Sequence, residues 1–414
     1  MPVSRKRKTK TNRRRSSSKQ TSAARDLLDV LDGAGRVRTR RVELGRPVAD
    51  ALIGELAAGA ATRDQDALQD ELCARLGPVL HELVQRPVEQ YVGAEDFAVS
   101  LVGSAAAAVK AALLGGEPVA AAWKILDTTL STVPVGLIER MGTPVDDLRR
   151  LPGGGGLPAL TEVAPATGDV RWARDRYGSR IAVLARFGER WYLWDIDVCT
   201  YRPITVHSGF HSSPAEALDA WRAGVGDFAA GDAEWAGIDD GLLLESILPR
   251  VEGLLAVGAE TIAQHAEYFR SRRLAEALLD DASSYPVRPA VPGRPDAADF
   301  VAWQRNRPAE AAPDDLDDLA EALAEIWPAD VSELYHCCSP HRVAHVRLIC
   351  GEEFEAGYAD RVAALLPDWV TWLADRAGTP ADLLQHALPY AAGEIHPALG
   401  DVPRLADYQA RVIE

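Results

Sequence analysis

Cysteine is scarce in this 414-residue chain: Cys73, Cys199, Cys337, Cys338 and Cys350, an odd number and, one adjacent pair apart, widely separated. That excludes a disulfide framework and suits a reducing compartment, so the protein is expected in the cytoplasm. Long apolar runs are also missing. The most apolar stretch, residues 97–116, is rich in Ala and Gly and contains Lys110. A membrane span needs about 20 strongly apolar residues, so the stretch reads as a buried helix and no span is expected. No targeting segment is expected either. The basic start runs into Ser16-Ser17-Ser18-Lys19-Gln20, which cannot serve as the apolar core of a signal peptide. Pro2 excludes myristoylation, and Arg411-Val412-Ile413-Glu414 is no prenylation signal.

Motifs for known chemistries are lacking too. Gly153-Gly154-Gly155-Gly156 is followed by Leu157-Pro158-Ala159, where a phosphate loop needs Lys and then Ser or Thr. Gly33-Ala34-Gly35 and Gly115-Gly116 lack the strand-to-helix setting of a dinucleotide site. There is no G-x-S-x-G elbow, and Ser208 and Ser212 beside His207 and His211 form only a common loop adjacency. No cofactor is expected.

Acidic residues are absent from the first 25 positions, and this absence carries the most information. Ten cations stand there: Arg5, Lys6, Arg7, Lys8, Lys10, Arg13, Arg14, Arg15, Lys19 and Arg25. The whole chain has 45 basic and 61 acidic residues, so the remainder holds 35 cations against all 61 acids. A short cationic tail on an anionic body can bind a polyanion that the body repels. The expected partner is DNA or RNA, ribosomal RNA included, contacted through Arg5, Lys6, Arg7, Lys8, Lys10, Arg13, Arg14, Arg15 and Lys19. Neutralising Z phosphates of a duplex gives log K a slope of about −0.9Z in log salt. The tail has no aromatic residue for stacking and no ordered base readout, so binding would be blind to sequence. An anionic membrane surface, docking on the acidic body (residues 314–325 are strongly acidic) and simple solubility are the competing uses of the same charge.

Hydrophobic residues make up 47% of the chain, enough for two or three packed domains. The expected fold is mainly α with a small α+β module, an antiparallel β-meander plus a helix, in a multidomain chain. Residues 1–21 read as a disordered tail, with Ser22 capping a first helix that Gly33 stops. Residues 22–150 read as a helical domain. Pro47 suits a first helical position ahead of Val48, Leu52 and Leu56, Thr62 can cap the helix of Leu68, Leu72 and Leu76, and Pro78 restarts one. Residues 151–165 form a Gly/Pro linker.

In the α+β module, residues 166–230, the period changes from 3.6 to 2. Strands are expected over 169–175, 181–187, 191–199 and 204–206, followed by a helix with a Ser213…Glu216 capping box and Pro214 at its first position. Residues 231–283 are a helical segment. Pro286, Pro289, Pro292 and Pro295 recur every third residue in a spacer at 284–297. A polyproline II rod there would run roughly 28 Å at about 3.1 Å per residue, as a rigid spacer or as a ligand for an aromatic groove. The C-terminal helical domain is 298–414, with Leu316, Leu319, Leu323 and Ile326 on one stripe, a start at Ser339-Pro340 and a Trp369, Trp372, Leu373 face ended by Gly378.

Ser339-Pro340-His341-Arg342-Val343, Leu366-Pro367-Asp368-Trp369-Val370-Thr371-Trp372-Leu373 and Trp191-Tyr192-Leu193-Trp194-Asp195-Ile196-Asp197 resemble stretches of uncharacterised actinobacterial proteins. The resemblance covers about a third of the chain and implies no activity.

Two constellations could carry chemistry in the body. His336-Cys337-Cys338 with His341, His345 and Cys350 brings zinc-ligating residue types together, and His341 and His345 share a helix face. Zinc sites space their paired cysteines, whereas Cys337 and Cys338 are adjacent, so buried thiols at a helix start explain them as well. Asp195 and Asp197 point to one face of a strand, with His207 and His211 a short loop away. Such a set could hold Mg²⁺ or Mn²⁺ for phosphoryl or glycosyl chemistry. Alternating acids also mark a solvent face, though Trp191 and Leu193 share this one. The leading expectation is a non-enzymatic accessory or scaffold protein recruited to nucleic acid by its tail. A metal-dependent enzyme centred on Asp195 and Asp197, and a protein–protein adaptor, are the alternatives.

Overall fold

The computed structural model describes residues 20–141, 144–163, 166–200, 203–249, 261–280, 285–286, 296–307, 313–328 and 334–399. The tail cations Arg5 to Lys19 and three of the four spaced prolines, Pro289, Pro292 and Pro295, lie outside these residues. The chain is mainly α, with one small antiparallel sheet.

The N-terminal helix α1 (Gln20–Ala60) is continuous. It does not stop at Gly33 or restart at Pro47, as local propensity suggests. Around Pro47, packing against a partner helix outweighs the local cost. Ala49, Leu52, Ile53, Leu56 and Ala60 are buried at helical spacing, and a Cβ at Gly45 would stand 2.8 Å from Ser100 Oγ. Helix α2 (Gln65–Gln85) is capped by Asp64, not Thr62: the Asp64 carboxylate accepts from Ala67 N at 2.8 Å. Pro78 lies inside it, and Leu68, Leu72, Leu76, Leu80 and Leu83 form one buried stripe.

Helices α3 (Ala94–Gly115), α4 (Ala120–Thr132), α5 (Val135–Met141) and α6 (Pro144–Arg149) complete this core. Among the described residues, α3 is the helix long and apolar enough to cross a membrane by composition. Its Phe97, Leu101, Val102, Ala105 and Val109 are buried in the N-terminal core.

The glycine-rich segment is not a free linker. Gly154–Gly156 is a 3₁₀ turn with Gly154 buried, and Leu157 and Leu160 join the helical core. Thr161 donates to Asp127 through its amide and its hydroxyl, both at 2.7 Å. These bonds strap the segment down.

The meander follows as β1 (Ala166–Arg174), β2 (Arg180–Phe187), β3 (Arg190–Asp197) and β4 (Ile204–His211), then α7 (Pro214–Val225), α8 (Asp227–Ala230) and the short β5 (Ala236–Gly237). The order is β4-β3-β2-β1-β5, antiparallel throughout. Strand β4 runs five residues past the expected end at Val206. The turn-like Ser208-Gly209 pairs across from Trp194 and Leu193. Ser213 caps α7 as expected, with Pro214 in its first turn. The return bond of Glu216, however, goes to Ser212.

Both sheet faces are covered. Ile181, Val183, Tyr192, Trp194 and Ile196 meet α9 (Gly241–Ile247) and α10 (Ile262–Leu279). Ala182, Leu184, Trp191 and Leu193 lie beneath Ala217 and Trp221 of α7.

Helix α10, begun by a Thr261–Gln264 capping box, joins two cores. Its Tyr268 and Phe269 belong to the N-terminal bundle, and its Leu274, Ala275 and Leu278 to the sheet. Beside it, Asp70 of α2 accepts from Arg190 of β3 at 2.9 Å and pairs with Arg270, which also holds Glu267. Tyr192 donates to Glu267 at 2.9 Å, and the Arg190 guanidinium lies 3.9 Å from the Phe210 ring centre.

The last core gathers α11 (Ala297–Arg305), α12 (Leu316–Ile326), α13 (Pro340–Glu353), α14 (Ala356–Ala364), α15 (Leu366–Ala377) and α16 (Ala381–Ala392) around Phe300, Trp327, Trp369 and Trp372. Ser339 caps α13 with Pro340 in its first turn, and Gly378 at φ 65° ends α15. This core touches the sheet module through Arg176 and Asp382 at 2.6 Å and through Tyr177, whose hydroxyl donates to Leu383 O at 3.2 Å.

Candidate functional site

Period two along β3 places Asp195 and Asp197 on the face of Trp191 and Leu193. That face is buried under α7, not open to solvent: the two carboxylates are 2% and 5% exposed. Their partners then differ. Arg180, adjacent on β2, donates to both Asp195 oxygens, from Nε at 3.0 Å and Nη2 at 2.5 Å. Burial pushes the Asp195 carboxyl up and Arg180 pulls it back.

His207 and His211 are not loop residues but members of β4. His207 sits across from Asp195 in the ladder, exposed. The register shifts just after this pair, so that Ile196 faces Thr205. His211 turns to Glu216, its Nδ1 3.8 Å from Oε1, and burial lowers its pKa. The four groups therefore do not surround one cation.

Asp197 instead meets a residue of the other constellation. Its Oδ2 lies 2.8 Å from Nδ1 of His341, in the first turn of α13. Its Oδ1 accepts from the amide of Cys199 at 2.7 Å, an Asx-type turn that ends the strand. Burial acts to raise this carboxyl, but the bond and charge of His341, then Arg180, hold it well below the usual carboxylate range.

The Cys199 thiol is 1% exposed, with Sγ 3.0 Å from Oγ of Ser339, the cap of α13. Burial, then the charge of Asp197, pushes this thiol well above its ordinary value. One carboxylate oxygen, one sulfur and one imidazole nitrogen thus converge, all within 4.8 Å of one another.

The surroundings hold this arrangement. Val198 donates to Ser179 O at 3.0 Å and accepts from Arg342 Nη1 at 3.2 Å. Arg342 is 2% exposed, also donates to Pro328 O, and lies 5.3 Å from the Trp327 ring centre. The His341 ring stacks on His396, centres 5.0 Å apart and planes at 20°. Burial, then the charge of His341, lowers His396 to about 4, and His345 one turn along α13 is likewise pushed down to about 4. Asp175, in the β1–β2 turn, accepts from Ser179 N at 2.6 Å and Arg180 N at 3.0 Å, and burial raises it to about 6.

Cys337 and Cys338 do not join His341 and His345 around a metal. Adjacent thiols diverge here: Cys337 enters the sheet core, and Cys338 enters the C-terminal core, its Sγ 3.8 Å from Val370 O. Cys350 is buried there too. All five cysteines are free and buried.

Composition pointed to the first 25 residues, but after Asp26, Asp29 and Asp32 a second basic strip follows. Residues 33–42 contain no acid, and Arg36, Arg38 and Arg40 are exposed on α1. Arg38 lies 3.6 Å from Asp96, and Arg41 sits over the Tyr91 ring at 4.9 Å. Among the described residues, Arg36 and Arg40 have no ion-pair partner. They are four apart, hence on one helix face. This strip was legible as a run of ten positions without an acid. Cys199 was also in view, two residues beyond Asp197, but its approach to Ser339 and His341 depends on closure over 140 residues or more.

No family model matches this chain, and no curated protein or solved structure matches it.

Proposed function

We propose that this protein is an accessory or scaffold protein anchored to nucleic acid by a basic N-terminal segment, without sequence preference. The observation carrying this reading is the segregation of charge: ten cations and no acid in the first 25 residues, against a chain with a net charge of −16. Arg36 and Arg40 of α1 form a second cationic strip beyond Asp26, Asp29 and Asp32. The body supplies the repulsion that confines contact to this end, and the phosphate backbone supplies the attraction.

The test is anisotropy of labelled duplex DNA and single-stranded RNA over a salt series. Wild type is compared with a full-length variant whose first ten cations are replaced by Gln. If about six of these cations engage phosphate, the wild-type slope on duplex DNA is roughly −5 or steeper, and the variant, which keeps Arg36 and Arg40, retains no more than about −1.8. Equal slopes in the two proteins would sink the proposal.

A further inference from the structure

We propose that Asp197, Cys199 and His341 form a binding site for a divalent cation of the zinc class. The donors come from the end of β3 and the start of α13, and they converge within 4.8 Å. Their chemistry selects the ion. Mg²⁺ and Ca²⁺ take oxygen ligands, whereas a thiol, an imidazole and a carboxylate together suit Zn²⁺. Three protein ligands leave the fourth tetrahedral position for water or another small ligand.

The frame around the donors is already in place. The Asp197-Val198-Cys199 turn is fixed by the Cys199 amide on Asp197 and by Ser179 and Arg342 on Val198. Ser339 stands at 3.0 Å from Sγ, able to donate its hydroxyl to a bound thiolate. Access is from the His341 side: that side chain is 18% exposed, whereas Asp197 and Cys199 are sealed.

Binding requires small displacements, since around a tetrahedral ion the sulfur stands roughly 3.6 Å from each of the other two donors, and these now lie within 4.8 Å. Asp197 Oδ2 and His341 Nδ1 are 2.8 Å apart and directly bonded. Around a tetrahedral ion with bonds of about 2.0–2.1 Å they would separate to roughly 3.3 Å. The proton balance is simple. Cys199 gives its thiol proton to solvent, and His341 gives up the Nδ1 proton that faces Asp197, likewise to solvent, and binds through Nδ1 with a proton on Nε2.

The test is a Co²⁺ titration of full-length, chelator-treated protein, with Zn²⁺ affinity measured by competition with a chromogenic chelator. One equivalent of Co²⁺ should produce tetrahedral d–d bands and a thiolate-to-cobalt charge-transfer band, both erased by Zn²⁺. Cys199→Ser should abolish the charge-transfer band. Cys199→Ser and His341→Ala should each weaken Zn²⁺ by at least about 100-fold, the upper end of what even an outer-shell change costs. Cys337→Ser and Cys338→Ser should leave both readouts unchanged. Circular dichroism establishes that each variant is folded, and His341→Ala, near the surface, decides the question should Cys199→Ser fail to fold. Absence of the charge-transfer band in wild type overturns the proposal, as does its survival in Cys199→Ser or Zn²⁺ affinity unchanged in His341→Ala.

Discussion

Asp197 and His341 are 144 positions apart in the chain and 2.8 Å apart at Oδ2 and Nδ1. This bond ties the end of β3 to the first turn of a helix in the C-terminal core. Replacing His341 by Ala leaves a buried carboxylate without its side-chain hydrogen-bond partner. Hydrogen bonds to charged groups are worth about 1.5–3 kcal/mol, and a loss of that order is expected in urea unfolding of chelator-treated protein. A Cys199→Ser control should move far less in the same measurement, because it keeps the Asp197 bond.

Arg270 is the second such tie. It is 4% exposed and paired with Asp70 of α2 and Glu267 of α10. Truncation to Ala leaves the partly buried Glu267 with only Tyr192, and since breaking a fully buried pair from one side costs about 3–5 kcal/mol, a loss of up to about 3 kcal/mol is expected. In Asp70→Ala the Arg270 guanidinium keeps Glu267, so that change should cost less. Thermal unfolding of both variants gives the ranking directly.

Gly154 and Gly155 are neighbours with opposite demands. A Cβ at Gly154 would stand 2.0 Å from Leu148 O, a backbone atom that cannot swing away, whereas at Gly155 nothing lies within 4 Å. Gly154→Ala should destabilise by at least about 1–3 kcal/mol, the usual scale of overpacking. Gly155→Ala should be close to neutral in the same melt. Equal effects would mean that the strap is not held against α6.

Acid response should split between two buried groups. His345 is lowered from 6.5 to about 4, chiefly by burial and then by the charge of His341. The unfolded chain takes its proton first, so the stability of neutral His345 is full above pH 6.5 and is lost as pH falls toward 4. Asp175 works the other way. Raised by burial from 3.8 to about 6, its protonated form favours the fold below 3.8, and that gain is lost as pH rises through 6. Melting temperature measured against pH should therefore fall less steeply between 6.5 and 4 in His345→Gln. In Asp175→Asn it should fall more steeply.

Arg36 and Arg40 give a finer test of the polyanion anchor. Changing both to Gln should reduce the magnitude of the salt slope on duplex DNA by about 1.8, at about 0.9 per lost phosphate contact. An unchanged slope would confine the anchor to the segment before α1.

Local patterning carried the secondary structure wherever one face is apolar and the chemistry of an end is explicit. The Leu68, Leu72, Leu76 stripe, the meander, the Ser213-Pro214 and Ser339-Pro340 starts and the Gly378 stop were all readable from short-range rules. The same rules broke α1 at Gly33 and Pro47, took residues 151–165 for a linker and ended β4 at Val206. At Pro47, in residues 151–165 and in β4, tertiary contact outweighs a local preference: α3 against α1, Thr161 on Asp127, and Trp194 across from Ser208.

The candidate site divides along the same line. Composition alone exposed the charge segregation, because net charge is a sum over residues and needs no geometry. The residue types of the buried site were visible too, in Asp197 and His341, but in two separate sets with other partners. Which donors meet is a matter of closure over long loops. Burial of both sheet faces removed Asp195 to Arg180 and His207 to the surface, and divergent side-chain directions sent Cys337 and Cys338 into different cores. The docking of α13 on the end of β3 then brought Asp197, Cys199 and His341 together. The sequence determined which groups are present and which short segments fold; only the packing of two distant elements decided which of those groups share one space.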